Sequence, residues 1–92
     1  MHHADVIIRH PVGLHARPAA TFVRLATSFP ATITVVKAGT DSKPVNAKSI
    51  LGVLSLGVNQ NDRIIINADG EREEEAVNAL LDLVRSNFGE SK

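Results

Sequence analysis

The chain has 92 residues, ten basic and ten acidic side chains, a formal net charge of zero, three Phe, and no Trp, Tyr or Cys. One domain spanning residues 1–92 is expected; a chain of this size buries somewhat over ~60% of the surface its unfolded form exposes, enough for one modest core and too little for a deep catalytic cleft. The composition excludes disulfides and thiolate metal centres, offers neither an aromatic platform nor a basic excess for generic nucleic-acid binding, and contains no apolar run near the ~18 residues needed to span a membrane.

Met1–Asp5 lacks the apolar core of a signal peptide, so a cytoplasmic location is expected. Asp5 to His10 alternates, with Val6 and Ile8 on one face and Asp5, Ile7 and Arg9 on the other, and predicts a half-buried strand that Pro11 ends. Ala16 to Ser28 predicts a helix, with Ala19, Ala20, Val23 and Ala26 forming a stripe beside Phe22. Phe29-Pro30 closes it, because a residue before proline disfavours the helical region. Thr32 to Lys37 is rich in β-branched residues and predicts a strand with Ile33 and Val35 on its core face. Ala38 to Ser42 is a turn, and Lys43 to Ala47 a short partner strand that Pro44 places at an edge.

Ser49 caps a predicted helix that runs to about Leu56 and is stopped by Gly57. A polar loop, Asn59–Asp62, leads into an Ile-rich strand from Arg63 to Ala68. After Gly70, a last helix is predicted from Glu71 to Asn87, with Val77, Leu80, Leu81, Val84 and Phe88 at helical spacing. Its acids sit in the first turn, Arg85 in the last, and Gly89 follows as a stop signal. This order fits an α+β fold: a four-stranded antiparallel sheet with three helices on one face.

The run Gly13-Leu14-His15-Ala16-Arg17-Pro18-Ala19 places an imidazole where a helix begins, with an arginine two residues later. A helix start leaves backbone N–H groups without intrahelical partners, and the macrodipole there favours anions. Arg17 adds a fork of donors suited to phosphate oxygens. Pro18 fits a first turn, and Gly13 permits a tight backbone turn before His15. From Arg9 to Arg24 there are three arginines and no acid, whereas Glu71, Glu73, Glu74 and Glu75 form an acidic knot elsewhere. Imidazole with a pKa of about 6.5 is available as a neutral nucleophile near pH 7. These residues therefore suit holding a phosphoryl group on a histidine nitrogen, with the N–H groups near Ala16 and the guanidinium of Arg17 around it.

Other candidates weigh differently. Ser49 is a good N-cap by type alone. Ile50, Leu51, Val53, Leu54 and Leu56 cannot all be buried by one face of a two-turn helix, so Ile50, Leu51 and Leu54 are read as an exposed docking patch. His2 and His3 read as a weak metal pair or the remnant of an appended tag, and His10 as structural. No HExxH, Walker loop or carboxylate dyad is present, and no metal or cofactor is expected.

The Gly13–Ala19 run resembles the phosphorylation site of the HPr family, the histidine-containing phosphocarriers of the bacterial phosphotransferase system. The stretch from Val45 to Gly57 is similar to that family's helix bearing a regulatory serine, and the resemblance extends from about Ala4 to Phe88. It departs at Val12, where many members carry Asn, Ser or Thr, and the connection Gly39–Ser42 is slightly longer than usual. The resemblance implies an open-faced β-sandwich and a carrier that needs partner proteins for each transfer rather than an enzyme. It implies His15 as phosphoryl acceptor from enzyme I, delivery to enzyme IIA domains of sugar transporters, and Arg17 as phosphate stabiliser. It further implies Ser49 as a regulatory phosphorylation site for HPr kinase/phosphorylase, with catabolite control protein as a partner of that form. A monomer is expected. The alternative is a regulatory paralogue in a nitrogen-linked or incomplete phosphotransferase chain.

Overall fold

The computed structural model describes residues 1–11, 13–14, 16–39 and 43–89; Val12, His15, Thr40–Ser42 and Glu90–Lys92 lie outside the described residues. In chain order the elements are β1 (His2–Ile7), α1 (Ala16–Thr27), β2 (Thr32–Lys37), β3 (Val45–Asn46), α2 (Ile50–Ser55), β4 (Arg63–Asp69) and α3 (Glu73–Arg85), followed by a 3-10 turn at Asn87–Gly89. The strands form one antiparallel sheet in the order β1-β4-β2-β3. The three helices cover one face, giving the expected open-faced α+β sandwich.

Alternation within the strands decides which side chains meet the helices. Ile33 and Val35 of β2 are buried, as are Ile64, Ile66 and Ala68 of β4. Phe22 of α1 is fully buried among them, joined by Val77, Leu80 and Val84 of α3 and by Val53 of α2. Each such large side chain contributes roughly 1.5–3 kcal/mol by leaving water. In α1, Ala19, Phe22 and Ala26 form the buried stripe, with Ala20 and Val23 on its half-buried flanks. Phe22 is therefore the centre of the stripe rather than its neighbour.

Several boundaries differ from those the sequence predicts. β1 covers His2–Ile7 instead of Asp5–His10, although the facing of Val6 and Ile8 holds: Ala4 and Val6 pack on the core and Ile8 is fully buried just past the strand. Pairing to the seven-residue β4 extends β1 backwards, with His2 opposite Ala68. The histidine pair thus alternates across a strand, and no group of three or more His, Asp or Glu able to hold a metal occurs among the described residues. β3 is only Val45–Asn46, not Lys43–Ala47, and lies at the sheet edge. α1 ends at Thr27 rather than Ser28. α3 begins at Glu73 rather than Glu71, because its N-cap Arg72 is left-handed at φ 62°. It ends at Arg85 rather than Asn87, where Asn87 and Phe88 both turn left-handed before Gly89 is reached. The predicted turn Ala38–Ser42 is described only at Ala38 and Gly39.

Candidate functional site

α1 begins at Ala16, the residue after His15 in the chain. His15 and Val12 lie outside the described residues, so the site is built from what surrounds them in sequence. Ala16 and Arg17 open α1, where the first backbone N–H groups lack helical partners. Arg17 is exposed, and its carbonyl accepts a hydrogen bond from Thr21 Oγ1 at 3.0 Å. Pro18 is buried at a position where its missing N–H costs no helical bond.

The loop entering α1 is tied to the loop entering β4. The N–H of Leu14 donates to the carbonyl of Val58 at 3.0 Å, and Ile8 N–H donates to Asp62 O at 2.8 Å. Gln60 Nε2 reaches Arg9 O at 3.3 Å. Gly13 has φ +67°, and a Cβ there would lie 2.3 Å from Val58 O. Glycine is thus required twice over, by the left-handed backbone and by the close approach.

The receiving loop is braced in turn by Asp62. Its carboxylate accepts from the Asn59 N–H at 2.8 Å and faces Lys37 Nζ at 3.3 Å, while Lys37 also donates to Gly57 O at 3.3 Å. These bonds hold the Asp62 carboxyl below its ordinary pKa of 3.8, the Asn59 N–H most of all and Lys37 after it, against a partial desolvation penalty. On the other side, His10 is buried and packs edge-on against Phe88, with ring centroids 5.8 Å apart. Its carbonyl accepts from Gly13 N–H at 2.9 Å. His10 is structural, as the sequence suggests. The Gly13–Val58 approach and the Lys37–Asp62 brace are long-range features; a glycine beside the histidine is the only sequence trace of the first.

Ser49 caps α2 through Oγ, which accepts from Gly52 N–H at 3.1 Å. Leu56 ends the helix and Gly57 leaves it at φ +64°, so cap and stop both lie where the sequence places them. α2 divides its apolar residues: Val53 and Leu56 are buried, and Ile50 and Leu51 are 38% and 77% exposed, but Leu54, expected to be exposed with them, is half-buried because it packs against the core. α1 packs against α2, so Arg17 and the exposed α2 residues stand on neighbouring elements.

Charge is sorted along the molecule. Arg9, two residues past β1, and Arg63, at the start of β4, lie with Arg85 of α3 around one groove. Asp69, Glu71, Glu73, Glu74 and Glu75 fall where β4 ends and α3 begins, at the opposite end of the antiparallel β1–β4 pair. There Arg72 donates to both carboxylate oxygens of Glu75, at 3.0 and 2.8 Å.

Comparison with known proteins matches this architecture to a family. The family model described as "PTS HPr component phosphorylation site" matches residues 3–86. The chain is 45% identical over 78 residues to phosphocarrier protein HPr of Streptomyces coelicolor, covering 85% of this chain and 82% of that one. A crystal structure of HPr from Thermoanaerobacter tengcongensis superposes with a TM-score of 0.91 at 48% identity, over 100% of both chains. The crystal structure of the Bacillus subtilis catabolite repression protein Crh, a swapped-domain dimer, gives a TM-score of 0.70 at 40% identity over 89% of this chain and 91% of that one. No described helix is long and apolar enough to cross a membrane. With its open-faced sandwich, its capped α2 and its match to the family's phosphorylation-site model, the chain belongs to the HPr family of the phosphotransferase system.

Proposed function

We propose that this chain carries phosphoryl groups on His15, accepting them from phosphorylated enzyme I and passing them to enzyme IIA domains. The neutral imidazole supplies a lone pair to phosphorus; the N–P bond forms as the bond to the donor breaks, and the reverse sequence delivers the group onward. Arg17 neutralises the bound oxygens, and the free N–H groups at the start of α1, beginning near Ala16, accept the remaining charge. The protein supplies one half of each reaction centre and a partner supplies the other, so it is a carrier rather than a catalyst on its own. The observation that supports this reading most is Arg17, exposed in the opening turn of the helix that follows His15, in a chain whose family is defined by a phosphorylation site.

Ile50, Leu51 and Leu54 form the apolar part of the partner surface in this reading. Ser49 is its regulatory position: a phosphate there sits at the cap of α2, beside that surface, and places like charge against partners that are themselves acidic. HPr kinase/phosphorylase and catabolite control protein are the corresponding partners. The protein works as a cytoplasmic monomer in this scheme. Incubation with enzyme I and labelled phosphoenolpyruvate tests it: label must appear on His15 and move to enzyme IIA.

The likeness to Crh favours a second reading, a regulatory member of the family that acts by phosphorylation-dependent protein binding. The two separate by where phosphate goes. A carrier turns over phosphate on His15, whereas the regulatory form accepts it without delivery to any enzyme IIA.

A further inference from the structure

β1 is an edge strand, and its outer side lies beside a concentration of positive charge. Ile8 N–H and C=O both point towards the Asn61–Asp62 side, donating to Asp62 O at 2.8 Å and accepting from Asn61 N–H at 2.6 Å. Backbone groups alternate along a strand. The N–H and C=O groups of His3, Asp5 and Ile7 are therefore directed away from β4, towards the edge that no other described strand pairs with. An open groove of about 430 Å³ is lined by Asp5, Val6, Ile7, Arg9, Arg63 and Arg85. Its arginines come from just past β1, from β4's start and from α3's last turn, so they flank the edge on both the sheet side and the helix side. Among the described residues Asp5 is the only carboxylate lining it, and it already faces Arg63 at 3.4 Å. The described lining therefore carries an excess of two positive charges, three arginines against one aspartate. Ile7, 39% exposed, adds an apolar contact at the same place.

Unpaired edge groups are templates for an added strand. Side-chain recognition then comes from residues that alternate between the two faces. Here both faces present arginine, which forms bidentate pairs with carboxylates. A groove that runs beside a strand edge suits an extended chain better than a compact small molecule.

We propose that the outer edge of β1 binds an extended acidic peptide segment of a partner protein by strand addition, with Arg9, Arg63 and Arg85 pairing its carboxylates and Ile7 packing against an apolar side chain. This surface is separate from the exposed residues of α2, and its occupancy does not require a phosphoryl group on His15.

The test uses the full chain, isotopically labelled, titrated with a peptide of alternating Glu and Val. Amide shifts concentrated at His3, Asp5, Ile7 and Arg9, with affinity falling as salt rises, are expected. The double variant Arg9→Gln/Arg85→Gln should weaken binding about tenfold or more, the scale of losing two charge contacts, while the thermal unfolding temperature falls only slightly, since both side chains are exposed and only Arg85 sits at a helix end. Methylating alternate peptide amides should abolish binding. Shifts confined to α2 and Arg17, equal shifts with inorganic phosphate or free glutamate, an equal response to the methylated peptide, or no shifts at all would each overturn the proposal. So would a peptide-independent second copy of the chain occupying the edge, read by sedimentation.

Discussion

The Cβ that Gly13 lacks would stand 2.3 Å from the carbonyl oxygen of Val58, well inside any real contact. The segment leading to His15 is therefore pressed directly onto the segment leading to β4. Gly13→Ala is expected to force a side chain into left-handed backbone, costing about 1–2 kcal/mol, and to push the two loops apart, adding about 1–3 kcal/mol. Urea unfolding should show a lower midpoint. Phosphoryl acceptance should fall by more than the loss of folded protein explains, since the loop that presents His15 moves.

Ser49 separates capping from regulation. Ser49→Ala should lower stability by about 1 kcal/mol, because Gly52 N–H loses its acceptor. Ser49→Asp should hold or slightly raise stability, since a carboxylate at a helix start can still accept that bond. Its transfer rate from enzyme I should nevertheless fall, with partial recovery at high salt. Equal transfer rates for the two variants at low and high salt would leave Ser49 as a cap alone.

The exposed and buried residues of α2 should respond in opposite ways. Leu51→Ala should change stability by less than about 0.5 kcal/mol while raising KM for phosphoryl transfer. Val53→Ala removes fully buried methyl groups and should cost about 2 kcal/mol with little change in KM for the protein that remains folded. Denaturant titration and steady-state transfer on the same samples decide between these outcomes.

Asp62 links folding to pH. Its folded pKa lies below 3.8, so its contribution to stability is fully present above the unfolded value and is lost as pH falls from about 3.8 through the lower folded value. Asp62→Asn keeps an oxygen for Asn59 N–H but loses the charge facing Lys37. The stability difference between wild type and Asp62→Asn should be constant near neutrality and shrink in that acidic window. Thermal unfolding across the acid range measures it.

The sequence carried the parts of this molecule that depend on local pattern. Thr32–Lys37 opens with five consecutive β-branched residues, and β2 has those bounds. Ser49 and Gly57 are strong cap and stop types, and α2 lies between them. Boundaries moved where tertiary pairing or an unusual backbone angle overrides propensity. His2–Ala4 has weak strand character and joins β1 because β4 extends opposite it. Arg72, Asn87 and Phe88 are left-handed non-glycine residues; asparagine tolerates that backbone, but nothing in the side chains of Arg72 or Phe88 announces it. At the candidate site, Arg17 and the exposed α2 residues follow from spacing. The Gly13–Val58 approach, the Lys37–Asp62 brace and the grouping of Arg9 with Arg63 and Arg85 join residues far apart in sequence, so only the fold brings them together.

Arg17 should matter for chemistry and little for folding. It is exposed in the opening turn of α1, so Arg17→Ala should leave the unfolding free energy within about 0.5 kcal/mol of wild type. The transfer rate should drop by a factor of about 10 or more, as expected for loss of a charge-assisted contact to phosphate. An unchanged rate would reduce Arg17 to a solvated surface residue.

The most direct measurement of the carrier role is incubation of wild type and His15→Ala with enzyme I and radiolabelled phosphoenolpyruvate, followed by acid and base treatment of the protein. One acid-labile, base-stable phosphate per wild-type chain is expected, transferable to enzyme IIA, with none on a folded His15→Ala protein. Label that persists in His15→Ala, or a wild-type chain that takes none, would contradict phosphoryl carriage on His15.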